Sequence, residues 1–495
     1  MTTLKARAVH GVKWTGTSTA VVTLTKYART IILARLLVPG DFGLMAMVTV
    51  VVGLGQAFSD MGISLSIIWK QDATEDQLSS VYWFNIFTGI LVTVLVAAAA
   101  PLVVRFYREP RLYDMVLWLS PVFLITSIGV PFRMIMQKEL LFRRIAALEM
   151  VSTFVAAVTS VVAAALNAGV YALVWGAIVE IIMLAVLQVA LGWSIWRPKL
   201  FFRAGDLRSF LRFGVFNMGE RVLNFFHTNV DYMILGRFLG GEALGIYMLS
   251  YQLVVEPFIK LNPILNRVAF PVFARRQKEN EVLRRGYCEL SRMVAFLTYP
   301  LLALLAATAS VFIPAVFGAK WGAAVPLVRI LIILGALRTL INPYGSILYT
   351  KGRTDLAFYY NLLSAVLNTA LFWIFVRRGM YAIAWLEAGL SFLYFILLLG
   401  ILKRVIGLRI SIYAAAIAAP LGINGVVGVT VFASYLLLRG AVPQGIGFLA
   451  ILLIMGALLL VALIAGFERD LVREYWGLLR GKQEVSREGE EAESP

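Results

Sequence analysis

Long apolar stretches recur along this chain, and most show no alternation of polar and apolar faces. Runs of membrane-spanning length fall at roughly 14–38, 42–69, 78–106, 112–136, 145–167, 170–193, 210–238, 243–270, 293–317, 325–349, 356–376, 380–402, 410–438 and 445–467. A helix of about 20 apolar residues crosses a bilayer core. The pattern therefore predicts an all-α polytopic membrane protein of about fourteen transmembrane helices, numbered here as segments 1 to 14. Segment 1 is too long and too polar for a signal peptide, and no small-residue cleavage site follows it. It is expected to stay in the chain.

The chain repeats itself. "IILARLLVPGDFGLMAM" (31–47) aligns without gaps on "MILGRFLGGEALGIYML" (233–249), with Ile32/Ile234, Leu33/Leu235, Arg35/Arg237, Leu37/Leu239 and Gly43/Gly245 identical at an offset of 202. "GVYALVWG" (169–176) matches "GMYAIAWL" (379–386) at an offset of 210. Two matches in the same order at nearly one offset predict a duplicated six-helix unit. Six is even, so both copies enter the membrane in the same direction, as parallel repeats do. The expected division is an N-terminal six-helix lobe over 1–205 and a C-terminal six-helix lobe over 206–405. An extra two-helix hairpin follows over 406–467, then a disordered cytoplasmic tail over 468–495.

Charge gives the orientation. With the N-terminus placed in the cytoplasm, the inner segments hold 27 Lys and Arg and the outer segments 7, so the positive-inside rule puts both termini in the cytoplasm. The net charge of +17 is thus mostly a topology signal. No soluble basic domain exists to bind nucleic acid. The loop 274–292 reads as a basic cytoplasmic linker attracted to anionic lipid, and its Cys288 is the one cysteine, so no internal disulfide forms. No outer loop exceeds about ten residues by this mapping. No Gly-rich phosphate loop, His/Cys cluster or nucleophile elbow is present, so neither catalysis nor a metal or cofactor is expected.

Eleven basic residues remain within the spans. A central Lys or Arg costs about 2.5–3.5 kcal/mol on insertion scales. Eleven facing lipid would cost roughly 30 kcal/mol on that scale, so they must face protein or water. On segment 1, Thr15, Thr19, Thr23 and Thr30 lie within about 60° of Lys26, with Arg29 flanking them. Arg35 points the opposite way, at the helix end before Pro39-Gly40. On segment 7, Asn217, Glu220, Asn224, His227 and Asp231 form a second stripe beside Arg221 and Thr228. Two repeat-related polar stripes predict one shared central cavity. Gln56, Asp60, Arg133, Glu180, Glu256, Lys260, Arg338 and Glu387 are further candidates for it.

Several motifs resemble a known family. "ARLLVPGDFG", "FSDMGIS" (58–64), "NVDYMILGRFLGGEALGIY" (229–247), "RVAFPVFARRQ" (267–277), "GAKWGAAVPLVRIL" (318–331) and "KGRTD" (351–355) look like polysaccharide exporters of the multidrug/oligosaccharidyl-lipid/polysaccharide (MOP) superfamily. The likeness is greatest to Wzx-type flippases of the colanic-acid exporter group, and it covers residues 1 to about 405. It implies two six-helix lobes in a V around a cationic cavity. It also implies movement of polyprenyl-pyrophosphate-linked oligosaccharide units from the cytoplasmic to the outer leaflet of the bacterial inner membrane. In related lipid II flippases, arginines of the first and eighth helices face such a cavity. The positions that fit here are Lys26, Arg29, Lys260 and Arg267. The implied partners are the lipid-linked oligosaccharide, membrane lipids and the polysaccharide polymerase machinery.

Each candidate has a plainer alternative. Lys26 and Arg29 either bind the substrate anion or pair internally with Asp60 or Asp231. Arg221, with Glu220, His227 and Asp231, either binds in the cavity or neutralises neighbours. Arg35 and Arg237 read as structural, at helix ends where Arg can snorkel. Asp60, Glu180, Asp231, Glu256 and Glu387 are the acids that could couple transport to protons or cations. A lipid II-type flippase is the nearest alternative function. A cation-coupled multidrug exporter fits less well, because segment 1 is cationic.

Overall fold

The computed structural model describes residues 2–59, 67, 70, 72–259, 262–341 and 343–467. Within these, the side chains of 2–13, 208–217, 220, 223, 227, 258, 259, 262–268 and 467 are not described. Asp60 and Lys260 lie outside the described residues, as do the side chains of Asn217, Glu220, His227 and Arg267.

The elements in chain order are α1 (Thr2–Leu36), α2 (Pro39–Ser59), α3 (Glu75–Tyr107), α4 (Leu112–Leu119), α5 (Val122–Lys138), α6 (Phe142–Ala165), α7 (Tyr171–Gly192) and α8 (Arg208–Val254). Then come α9 (Glu256–Ile259), α10 (Asn262–Arg275), α11 (Asn280–Phe317), α12 (Ala324–Ile341), α13 (Tyr344–Thr350), α14 (Thr354–Phe375), α15 (Met380–Ile406), α16 (Ile410–Leu438) and α17 (Ile446–Phe467). Among the described residues the regular structure is all helical, as the apolar pattern requires.

Eleven helical stretches among the described residues are long and apolar enough to cross a membrane. The three expected segments that do not qualify are 14–38, 210–238 and 243–270. Segments 1 and 7 carry the polar stripes, which lower their apolarity without breaking the helix. The region 243–270 is divided at Val255, between the end of α8 and the short α9. The expected basic linker also differs from a loop. From Asn280 it is helical and runs unbroken into the α11 span, and Cys288 is buried along it. Its Glu281 pairs with both Arg284 and Arg285 at helical spacing, which supports the helix outside the apolar stretch.

The chain forms two compact units. The first comprises Met1–Tyr251, Phe317–Leu327 and Leu362–Leu386. In it α1 packs along α6, and α6 along α7. The α3 helix starts on a capping box, with Thr74 accepting from the Gln77 amide and Gln77 reaching back to Thr74. The strap after α7 is tied to that same end. Trp83 Nε1 donates to the Lys199 carbonyl at 2.8 Å, and the Lys199 and Arg203 amides donate to Ser79 and Ser80, each at 3.1 Å. The Asp76 and Glu75 carboxylates accept from the Lys199 ammonium and hold it above its ordinary pKa. Tyr82, Phe132 and Trp196 meet beneath the strap, ring centroids 5.6–5.8 Å apart.

One contact in this unit links the two copies of the repeated motif. The α8 helix is broken at Gly240, whose φ of 80° lies in the region glycine tolerates. A β-carbon on Gly43 would collide with the Gly241 carbonyl, and one on Gly245 would collide with the Pro39 carbonyl. At the offset of 202, position 39 corresponds to 241 and 43 to 245. The contact is reciprocal.

The second unit comprises Gln252–Val316, Val328–Asn361 and Glu387–Pro495. Its core runs along α11. Tyr287 stacks on Tyr413 at 5.6 Å and donates to the Leu340 carbonyl, and Tyr299 donates to the Ala336 carbonyl. The hairpin α16–α17 packs on α11 through Ala307, Val311, Val427, Val431, Phe448 and Leu452. Arg329 anchors it, donating to Ser310 Oγ at 2.8 Å with its guanidinium 5.4 Å over the Phe432 ring.

Candidate functional site

Lys26 and Arg29 lie three residues apart on α1, so they project from one face. The α7 helix brings Glu180 to that face. Lys26 Nζ is 3.0 Å from Glu180 Oε1, and Arg29 Nη1 is 3.6 Å from Glu180 Oε2. Thr153 of α6 donates to Glu180 Oε1 at 3.4 Å. Side-chain exposure decides the character of the group: Lys26 is 47% exposed, Arg29 22% and Glu180 16%. One mostly buried carboxylate therefore holds two cations, of which one keeps an open side. The cluster carries an excess of one positive charge.

Along the α1 stripe, Thr23, Arg29 and Thr30 are half-buried. Thr15, Thr19 and Lys26 are exposed, and the Thr19 and Thr30 hydroxyls donate to their own helix at the Thr15 and Lys26 carbonyls. These threonines thus need no partner from lipid.

A second feature of the same unit is a polar pocket of about 380 Å³. Its polar lining is Gln56 and Ser59 of α2, Asn85 of α3, Thr126, Ser127 and Arg133 of α5, and Arg221 of α8, and Phe123, Val130 and Met134 of α5 complete it. Asn85 is buried and fixed by donating to the Ser127 carbonyl at 2.7 Å. Arg133 Nη2 sits 2.5 Å from Glu149 Oε1. Amides, hydroxyls and two guanidiniums in one hollow match a ligand rich in hydroxyls and negative charge.

The remaining acids lie elsewhere. Asp231 is buried on α8 and Glu256 is half-buried at the start of α9. Glu387 is buried and accepts from Arg338 Nη2 at 2.9 Å within the second unit. Arg35 ends α1, where its carbonyl accepts from Lys320 Nζ and the Ala34 carbonyl accepts from Trp321 Nε1. Arg237 stacks over Phe106 at 5.8 Å.

The sequence nominates Lys26 and Arg29 together and Glu180 apart from them, and it offers Asp60 or Asp231 as the internal partners of the two cations. The carboxylate that holds both is Glu180. The polar lining of the pocket was not foreseen beyond Gln56, Arg133 and Arg221. Asn85, Ser59, Thr126 and Ser127 are uncharged and cost little in a helix, so nothing in their cost marked them. Glu149, seven residues into α6, gave no signal because its distance from Arg133 depends on how α5 turns into α6.

Comparison with known proteins places the chain in a family. A family model described as "Polysaccharide biosynthesis protein" matches residues 32–326. The chain is 36% identical over 437 residues to the teichuronic acid biosynthesis protein TuaB of Bacillus subtilis (strain 168), covering 87% of this chain and 90% of that one. It is 32% identical over 364 residues to the lipopolysaccharide biosynthesis protein WzxC of Escherichia coli (strain K12), covering 74% of each. Among solved structures, lipid II flippase MurJ in an inward closed conformation superposes with a TM-score of 0.73 at 14% identity, over 94% of this chain and all of that one. The chain therefore belongs to the polysaccharide biosynthesis protein family, as a multi-pass helical membrane protein related to Wzx-type proteins and built on the fold of the lipid II flippase.

Proposed function

We propose that this protein is a flippase moving polyprenyl-pyrophosphate-linked oligosaccharide units from the cytoplasmic to the outer leaflet of the bacterial inner membrane by alternating access. The reading places both termini in the cytoplasm and two six-helix lobes around a cationic cavity. The observation that carries it is the cluster of Lys26, Arg29 and Glu180: two cations on one carboxylate, with Lys26 half open. Family membership and the biosynthetic roles in the relatives' names support it.

The chemistry follows from exchange of partners. In the empty cavity Glu180 neutralises part of the cationic pair. A pyrophosphate carries more charge than one carboxylate and offers more acceptors, so it competes for Lys26 and Arg29. Each unit-charge contact at 4 Å gains about 4 kcal/mol at an effective dielectric of 20, before desolvation. Arg29 offers a fork and Lys26 a point charge. Glu180, which the pyrophosphate displaces from the two cations, is the coupling acid of this proposal. Asp60, Asp231 and Glu256 remain candidates for coupling, and Lys260 and Arg267 for further phosphate contacts. Arg221 and Arg133, in the polar pocket, serve the sugar portion. Glu387, already committed to Arg338, serves structure.

Reconstitution in proteoliposomes with a polyprenyl-pyrophosphate oligosaccharide tests the reading. Replacing Lys26 and Arg29 together with Gln is expected to lower flipping at least 100-fold with membrane insertion intact. Glu180→Gln is expected to tighten substrate binding, slow turnover and flatten the dependence on an imposed pH gradient. Full activity in the double variant would overturn the assignment. A lipid II-type flippase is the second reading, favoured by the MurJ-like fold. Transport of lipid II in preference to oligosaccharide units would select it.

A further inference from the structure

The first unit holds a second cavity unlike the polar one. It measures about 370 Å³, within the range of small-molecule sites, and α2, α3 and α8 line it with apolar side chains throughout. It opens sideways, since Phe58, Leu95 and Leu102 on its rim are 41%, 57% and 66% exposed. Only 22% of the apolar window of α3 beside it is buried, so the medium at this opening is lipid. Phe225 of α8 lines it too, packed into the space left by Gly53 of α2.

One end of the groove is cationic. Its lining includes Phe106, and the Arg237 guanidinium sits 5.8 Å over that ring and 6.0 Å over Phe238. Arg105 and Arg108 are exposed at the same end of α3. The nearest acid in sequence, Glu109, is taken by Arg111, whose hydrogen bond holds the carboxyl below its usual range. Along α3 the lining runs from Val92 to Tyr107, which at 1.5 Å per residue is about 22 Å. A bilayer core of about 30 Å gives each leaflet about 15 Å of hydrocarbon, so the groove spans one leaflet and reaches its head-group level.

We infer that this groove binds one anionic phospholipid, an acyl chain lying along α3 and its phosphate held by Arg237 with Arg105 and Arg108. The groove's apolar lining selects a chain, its length selects a lipid of a single leaflet, and its charged mouth selects an anionic head group. The site is separate from the cluster of Lys26, Arg29 and Glu180, and it stands whatever the transported substrate is.

Full-length protein exchanged into mixed phosphatidylglycerol and phosphatidylcholine micelles would be examined by native mass spectrometry. Wild type is expected to retain one phosphatidylglycerol at least fivefold over phosphatidylcholine. Leu95→Trp, which fills the groove, is expected to lower retention at least fivefold. Arg237→Gln is expected to reduce the preference below twofold, and Arg237→Lys to keep it. A photoreactive phenylalanine analogue at Leu102 should crosslink to phosphatidylglycerol, a readout that does not depend on the folding of the groove-filling variant. Equal retention of the two lipids by wild type, or retention unchanged in both variants, would overturn the inference. So would crosslinking at Leu102 to added polyprenyl phosphate in preference to phosphatidylglycerol.

Discussion

At the scale of residues, charge inside this protein is organised by unequal burial. Glu387 is 5% exposed and its partner Arg338 30%, whereas Lys26 is 47% exposed beside Glu180. Breaking a buried pair by removing one member leaves a stranded charge, at a cost of about 3–5 kcal/mol. Glu387→Gln is therefore expected to destabilise the protein by about 3 kcal/mol, read as a loss of thermal stability in detergent. Replacing both Arg338 and Glu387 with Met is expected to recover most of that loss, because paired apolar replacements strand nothing. Equal losses in the single and double variants would show that the pair acts through shape. The sequence made Glu387, Arg338, Lys26 and Glu180 visible one at a time, through the cost of charge in a span. Their pairing was illegible, because helix positions of similar cost do not say which neighbour each will face.

At the scale of elements, periodicity carried more. The apolar runs located the strongly hydrophobic helices, and within the α1 stripe the Thr19 and Thr30 hydroxyls are bonded to their own helix backbone. The strap 197–207 was less legible. Its ties to Ser79, Ser80 and Asp76 use ordinary polar residues more than a hundred positions away. The meeting of Gly43 with Gly241 was half legible: the alignment singled out Gly43 and Gly245, but not that each fits against the other copy's turn. Gly43→Ala and Gly245→Ala are each expected to cost about 1–3 kcal/mol through overpacking. Gly422→Ala in α16, where a β-carbon meets nothing within 4 Å, is expected to be neutral or stabilising by up to about 1 kcal/mol. Melting temperatures of the three variants in one detergent check this, and equal effects would remove the steric account.

At the scale of the whole molecule, Lys and Arg content is the main topological information, since helices alone do not say which end faces in. A fluorescent protein fused to the C-terminus is expected to fluoresce, and alkaline phosphatase inserted after Arg378 to be active. The same insertion after Arg353 should be inactive, and the reverse pattern would invert the orientation. The segments that fall short of a spanning helix by apolarity are the ones given polar stripes, so their deficit and their chemistry share one cause. The reciprocal glycine crossing has a consequence of another kind. Each of the two four-residue steps, 39 to 43 and 241 to 245, is the mould for the other. An insertion in either turn would misplace both contacts at once. The two turns are therefore constrained to change length only together, and over evolutionary time this crossing should keep its spacing while the surrounding loops drift.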